Sequence, residues 1–178
     1  MKRLQDNVTL ITGGGKGIGF GLATAFAREG SNLVITGRTE SRLLSAKERL
    51  ESEYGIEVLP LVADGADEAS VKSVVKAALD RFGKINTLVN NAQTSKSGLP
   101  LVEHSKADFD LAIDSGLYAA FFYMRECFPA LKAVKGSVIN FASGAGLFGK
   151  LGQSSYAAAK EGIRGLSRVA AAEWGPDG

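Results

Sequence analysis

The sequence has few of the residues that form covalent cross-links or metal centres. Among its 178 residues there is one cysteine, Cys127, and one histidine, His104. A single cysteine cannot form an internal disulfide bond, which is typical of a protein in a reducing compartment, and we expect a cytoplasmic location. Cys127 lies in an apolar stretch and is interpreted as a small core residue. One histidine makes no metal cluster, so no metal site is predicted and His104 is expected at the surface.

Strong net charge and long apolar runs are also missing. The formal net charge is +2, too small to predict a nucleic acid or a membrane surface as partner. No run of eighteen apolar residues occurs, so no membrane span is expected. The polar segment 5–7 interrupts any apolar stretch after Lys2 and Arg3, so no signal peptide is expected. With 45% hydrophobic and 22% charged residues, the chain 1–178 is predicted to be one domain.

What is present is a regular alternation of short apolar segments and amphipathic segments. The pattern predicts five strands, at 8–12, 32–36, 57–63, 86–92 and 136–143. It predicts helices at 18–30, 40–55 and 67–83, from Ser105 towards Phe128, and from about Gln153 to Trp174. Pro60 is unusual inside a strand, so the bounds of the third strand stay open. Strands separated by helices predict an α/β fold, a doubly wound parallel sheet that binds ligands at the carboxyl ends of its strands.

A glycine-rich segment, TGGGKGIG at 12–19, directly follows the first predicted strand. Gly17 stands where a P-loop requires Ser or Thr after its Gly-Lys pair, so a triphosphate site of that type is not expected. Glycines let a ligand approach the backbone, and the next helix offers unpaired N–H groups to a pyrophosphate. The segment therefore predicts a dinucleotide site that includes Gly13, Lys16, Gly17, Ile18 and Gly19. The alternative is a flexible turn without a ligand.

The residues after the second strand bear on the choice of dinucleotide. A site that prefers NAD usually has an acidic residue there for the ribose 2′-hydroxyl, and the segment 36–39 has none. Arg38 and Lys16 instead suit a 2′-phosphate, which predicts NADP as the preferred cofactor, with NAD as a second possibility. The alternative is that Arg38 is an ordinary solvated side chain.

Five motifs in this order resemble the short-chain dehydrogenase/reductase family. They are the glycine segment at 12–19, Asp64 after the third strand, NNA at 90–92, Ser143 after the fifth strand, and YAAAK at 156–160. The resemblance implies a Rossmann-like fold and an NAD(P)-dependent oxidoreductase that interconverts a small-molecule carbonyl and an alcohol. It also implies a homo-oligomer, a dimer or tetramer, paired through the helices that end near Phe128 and Trp174.

The resemblance also implies roles for individual residues at the cofactor. Asp64 would contact the adenine, Asn91 and Ala92 would line the ribose side, and Asn90 would brace the central strands. Ordinary turn chemistry at a strand exit is the competing interpretation of the two asparagines.

Ser143, Tyr156 and Lys160 are the catalytic candidates. Tyr156 and Lys160 share a helix face one turn apart, so the ammonium group favours the ionised phenol. By resemblance, Lys160 would also bind the nicotinamide ribose, while Ser143 would hold the substrate oxygen and Tyr156 would give or take the proton. A solvated surface pair is the alternative for Tyr156 and Lys160, and a cap or turn former is the alternative for Ser143.

Three departures from the family pattern modify this expectation. Gln93 stands where the family has glycine after NNA, and its side chain would either reshape the nicotinamide pocket or point at the substrate. Gly116 stands where the family has a catalytic asparagine, so we expect weakened or altered catalysis. The sixth and seventh strands of the family are absent from this sequence. Either strand five is an open edge or the chain is a fragment of a longer protein. A dinucleotide-binding pseudoenzyme or an interaction module without turnover is the alternative function.

Overall fold

The computed structural model describes residues 2–177. Five parallel strands form one sheet in the order β3-β2-β1-β4-β5. The strands are β1 (Val8–Thr12), β2 (Asn32–Gly37), β3 (Val58–Val62), β4 (Thr87–Asn90) and β5 (Ser137–Asn140). The helices are α1 (Gly17–Arg28), α2 (Glu40–Tyr54), α3 (Glu68–Phe82), α4 (Lys106–Ala112), α5 (Ala119–Val134), α6 (Gly144–Phe148) and α7 (Ser154–Trp174). The predicted α/β class and the five predicted strands are confirmed.

The burial of each strand follows its place in the sheet. Every residue of β1 and β4 is buried, which explains their continuous apolar sequences. Pro60 lies on β3, an edge strand of this sheet, opposite Ile35 of β2. Because proline has no N–H to donate, an edge strand is the position in a sheet that tolerates it. Pro60 therefore does not interrupt the third strand, whose bounds the sequence had left open.

Local signals set the helix ends as predicted. The Asp67 side chain accepts a hydrogen bond from the Ala69 N–H and caps α3. Ser105 and Asp108 form a reciprocal capping box at the start of α4. These side chains satisfy N–H groups that have no partner within the helix, which is why each helix begins where it does.

The prediction of one helix from Ser105 towards Phe128 is wrong. A π-helical turn at Ile113–Tyr118 separates α4 from α5, and α5 continues beyond Phe128 to Val134. Gly116 lies buried within this turn. The short helix α6 was not predicted either, because five residues do not show a helical period.

Two clusters of buried side chains form the core around the sheet. Cys127 is fully buried in one of them, and burial raises the pKa of its thiol to about 12. His104, expected at the surface, is half-buried, and its Nδ1 lies 3.0 Å from the Ser154 Oγ at the start of α7. Of the helices within residues 2–177, none combines the length and apolarity needed to cross a membrane.

Candidate active site

A cavity of about 540 Å³ opens at the carboxyl ends of β1, β2 and β4. The structure brings all the predicted dinucleotide-binding residues of the first four strands to its wall. They are Gly13, Lys16, Gly17, Ile18, Gly19, Arg38, Asp64, Asn91 and Ala92. They share this wall because the carboxyl ends of parallel strands meet at one edge of the sheet.

Two glycines of the turn have separate structural reasons. Gly17, the first residue of α1, has φ +55°, a conformation that side chains with a Cβ atom rarely adopt. A Cβ atom on Gly19 would lie 2.2 Å from the Gly13 carbonyl oxygen. The first turn of α1 therefore approaches the end of β1 closely, and its free N–H groups face the cavity that would receive a phosphate.

Asn91 ties this turn to β4. Its Nδ2 donates to the Thr12 carbonyl oxygen at 2.9 Å, and its backbone N–H donates to the Thr12 Oγ1 at 3.0 Å. The Ala92 N–H donates to the same hydroxyl at 2.9 Å. Asn91 thus lines the cavity while its amide nitrogen holds the protein backbone. Asn90 joins neighbouring strands through a 2.8 Å bond from its Nδ2 to the Asn140 Oδ1.

Three cationic side chains line the cavity near the end of β2. They are Lys16, Arg38 and Arg42, all of them exposed. The Arg38 guanidinium donates to the Thr94 Oγ1 at 3.2 Å, so its side chain reaches from β2 to the loop after β4. Asp64 is the only acidic residue at this wall among the described residues.

Sequence reasoning missed Arg42 and the polar residues Thr94 and Ser115, which also line the cavity. Arg42 lies in the first turn of the helix that follows the second strand, a position next to the strand end that could have identified it. Thr94 and Ser115 come together only in the fold. The Ser115 Oγ accepts from the Thr94 N–H at 3.0 Å and donates to the Thr94 carbonyl at 2.8 Å.

Ser143, Tyr156 and Lys160 are not in the lining of this cavity. Ser143 follows β5 and precedes α6, which packs on α7, the helix that carries Tyr156 and Lys160. The Lys160 Nζ donates to the Phe141 carbonyl oxygen at 2.7 Å. It lies 5.6 Å from the centre of the Tyr156 ring, so the cation and the phenol ring are neighbours on α7.

Lys160 is unusual for a lysine because only 4% of it is exposed. Burial disfavours the charged form, and it lowers the pKa of Lys160 from 10.5 to about 8. At pH 7 the amine is still protonated. A buried amine with a lowered pKa, next to a half-buried phenol, argues against an ordinary solvated surface pair.

Ser143 is the residue before α6 and caps that helix. Its Oγ accepts a hydrogen bond from the Ala145 N–H at 3.2 Å. A hydroxyl has a second acceptor site and one donor hydrogen, so the cap leaves Ser143 able to bind a ligand oxygen. Both interpretations of this serine are therefore compatible with one conformation.

Among residues 2–177, no three His, Cys, Asp or Glu side chains group closely enough to hold a metal ion. The candidate site has two parts: the glycine turn with three cationic side chains at the cavity, and Ser143, Tyr156 and Lys160 outside its lining.

Comparisons with known proteins identify the family. A family model described as short chain dehydrogenase matches residues 7–178. A 12alpha-hydroxysteroid dehydrogenase of Clostridium sp. is 63% identical over 179 residues, covering 97% of this chain and 69% of the relative. A levodione reductase of Leifsonia aquatica is 38% identical and is covered to 66%. The chain therefore spans about two thirds of the length of these relatives.

Solved structures give the same answer. The crystal structure of levodione reductase superposes with a TM-score of 0.94 at 36% identity, over 98% of this chain and 69% of the other. That of NAD+-bound xylitol dehydrogenase has a TM-score of 0.94 at 27% identity, over 99% and 68%. The protein belongs to the short-chain dehydrogenase family. It is an NAD(P)-dependent oxidoreductase that interconverts a carbonyl and an alcohol of a small molecule.

Proposed function

We propose that this protein is an NADP-preferring reductase and dehydrogenase in which Tyr156 transfers the proton. The bound nicotinamide cofactor supplies or accepts the hydride at the carbonyl carbon. Tyr156 donates its phenolic proton to the carbonyl oxygen during reduction and takes it back during oxidation. The observation that carries the proposal is the buried Lys160 amine, whose Nζ lies 5.6 Å from the centre of the Tyr156 ring, so that a cation stands beside the proposed proton donor. Ser143 holds the substrate oxygen with its free hydrogen.

The preference for NADP rests on the charges at the end of β2. Lys16, Arg38 and Arg42 line the cavity there. A 2′-phosphate adds negative charge at the adenosine ribose, and guanidinium groups bind phosphate through several hydrogen bonds. The adenine would lie towards Asp64, and the pyrophosphate on the turn from Gly13 to Gly19.

The substrate class is proposed from apolar side chains near Ser143 and Tyr156. Leu147, Phe148 and Leu151 are 58%, 82% and 94% exposed, and all lie between those two residues in the chain. Leu101 and Val102, in the segment after Gly98, are 70% and 91% exposed. The Gly98 N–H donates to the Gly152 carbonyl and joins this segment to the one that contains Leu151. Such a surface suits a large apolar molecule. We therefore propose a hydroxysteroid or ketosteroid, the substrate in the name of the 63% identical relative.

Two further properties belong to this proposal. The rings of Phe128 in α5 and Trp174 at the end of α7 lie with their centres 4.6 Å apart. These are the two helices through which the family resemblance pairs subunits, and we propose a homo-oligomer. The single cysteine, which is buried and free, is compatible with the proposed cytoplasmic location.

The test follows the absorbance of NADPH with a panel of ketosteroids and small ketones. We expect oxidation of NADPH with a ketosteroid, and a loss of about a thousandfold in turnover in Tyr156→Phe, because a positioned acid contributes about 10²–10⁴ in rate. Tyr54→Phe, at the far end of α2, is the matched control and should keep full activity. Equal turnover by Tyr156→Phe would reject the mechanism, whereas dinucleotide binding without any turnover would favour the pseudoenzyme.

A further inference from the structure

The Gln93 side chain is held at the wall of the dinucleotide cavity without a hydrogen-bond partner. Both its Oε1 and Nε2 are buried, and neither has a partner within residues 2–177. The backbone is fixed on both sides, by the Asn91 bonds to Thr12 and by the paired bonds between Thr94 and Ser115. Buried amides are rarely left unsatisfied, so an unpartnered one at a ligand cavity indicates a functional use.

The space that this amide fills exists because residue 116 is glycine. A Cβ atom on Gly116 would lie 2.8 Å from the Gln93 Cδ and Nε2, and 3.1 Å from its Oε1. The backbone of Gly116 does not have a positive φ, so its conformation does not require glycine. Any side chain at 116 would have to displace the Gln93 carboxamide. The two residues are therefore complementary in volume.

This contact also leads to the helix that carries the catalytic candidates. Gly116 lies in the π-helical turn, and its neighbour Leu117 packs on α7 at Gly162, where a Cβ atom would lie 2.7 Å from the Leu117 Cδ2. Gly162 is two residues beyond Lys160 in the same helix. The Gln93–Gly116 contact thus connects the cavity wall to the part of α7 that holds the buried ammonium. Irregular π-turns within helices occur often at functional sites.

We propose that Gln93 is a positioning residue that supplies, from the loop after β4, the carboxamide that position 116 lacks. Its amide offers one donor and one acceptor group between the dinucleotide cavity and α7 when cofactor and substrate are bound. There it orders the parts of the bound cofactor and substrate on which Lys160 and Tyr156 act. The inference rests on the proposed function, because those two residues perform the proton transfer. On this proposal, the glycine at position 116 leaves the space that the Gln93 amide fills, and it is not a defect of the site.

A double-mutant cycle with Gln93→Gly and Gly116→Asn tests this exchange. Each single change should lower kcat about tenfold, the equivalent of one hydrogen bond, because one removes the amide and the other displaces it. The double variant regains an amide in the same volume, so its kcat should return to within about threefold of the unmodified protein. Multiplicative losses in the double variant would overturn the inference.

Gln93→Met separates the amide from its volume, since methionine has a similar length and no hydrogen-bonding amide. We expect kcat to fall about tenfold while the dissociation constant for NADPH and the unfolding temperature stay the same or improve. Gly21→Ala, in α1 with no atom within 4 Å of the added Cβ, is the control and should keep kcat. If the unmodified protein is active and Gln93→Met retains its full kcat, this inference alone is wrong. If the unmodified protein has no turnover with any substrate, the proposed function is wrong.

Discussion

The two halves of the site are built differently. The half at β1 and β2 consists of a glycine turn and of exposed cations, Lys16, Arg38 and Arg42. The half between β4 and α7 relies on buried polar groups, chiefly Lys160 and the Gln93 amide. Exposed charges stay hydrated and attract a phosphate, whereas a buried ammonium responds strongly to its neighbours and to pH. From this difference we propose that the first half, the affinity half, sets the affinity for the cofactor and that the second half, the turnover half, sets the rate of the reaction.

The largest effect is expected from a substitution in the turnover half of the site, between β4 and α7. Lys160→Met should lower kcat about a thousandfold, because the cation beside Tyr156 is lost and with it the stabilisation of the negative charge that develops on the phenol oxygen during proton transfer. It should also raise the free energy of unfolding at pH 7 by about 1–2 kcal/mol. The substitution removes the free-energy cost of burying the charged amine, and this cost exceeds the stabilisation that is lost with the hydrogen bond to the Phe141 carbonyl. Urea denaturation and steady-state kinetics measure both, with exposed Lys150→Met as the control. Unchanged turnover would contradict the assignment of Lys160 to this half.

A change in the glycine turn should break the affinity half. Gly19→Ala places a Cβ atom 2.2 Å from the Gly13 carbonyl oxygen, so the turn must open. We expect the affinity for NADPH, measured by fluorescence titration, to fall about a hundredfold. Gly21→Ala, two residues further along α1, should leave the affinity for NADPH unchanged and stabilise the protein by about 0.5–1 kcal/mol. An equal response of the two variants would show that close approach at Gly19 is not the cause.

The charge on the affinity half can be reversed by a single substitution at Arg38. Arg38→Asp should shift the ratio of kcat/KM for NADPH over NADH towards NADH by about tenfold or more, since it exchanges a phosphate-binding cation for a carboxylate. Turnover at saturating cofactor should change little. Lys84→Asp makes the same charge change and is the control. Lys84 precedes β4, at the end of that strand opposite to the cavity. An unaltered ratio in Arg38→Asp would mean that this arginine does not read the 2′-phosphate.

The smallest effect is a difference in pH dependence between the halves. Lys160 is protonated below its pKa of about 8, so its charge is present at pH 7 and is lost as the pH rises through 8. The kcat/KM for carbonyl reduction should therefore fall above pH 8, by about tenfold per pH unit. Arginine keeps its charge over this range, so the affinity for NADPH should vary less. A rate that stays level up to pH 9 would contradict the role of the ammonium.

Much of the fold could be predicted because its signals are local. The five strands, the caps at Asp67 and Ser105 and the glycine turn each depend on a few neighbouring residues. The π-helical turn at Ile113–Tyr118 could not be predicted, because a helical sequence period does not distinguish it from a continuous α-helix. It depends on contacts with α7 and with the loop after β4.

The candidate site divides in the same way. Gly13, Gly17 and Gly19 follow from the sequence, as does the positive charge after β2, because a strand end, a turn and a helix start are adjacent in the chain. Arg42 was missed although it lies in the first turn of α2, close in sequence to the end of β2. Thr94 and Ser115 could not be paired in advance, since their contact joins segments that only the fold brings together.

Short stretches of the sequence determined three features: the alternation of strands and helices, the glycine turn, and the one-turn spacing of Tyr156 and Lys160. Backbone geometry and residue period act directly over such short distances. The burial of Lys160 and the fit of the Gln93 amide over Gly116 were not determined in this way, and they arose when distant segments packed. Packing excludes water, and the loss of water gives an amine a lowered pKa and leaves an amide in need of a partner. Residue type and spacing alone contain no measure of that exclusion.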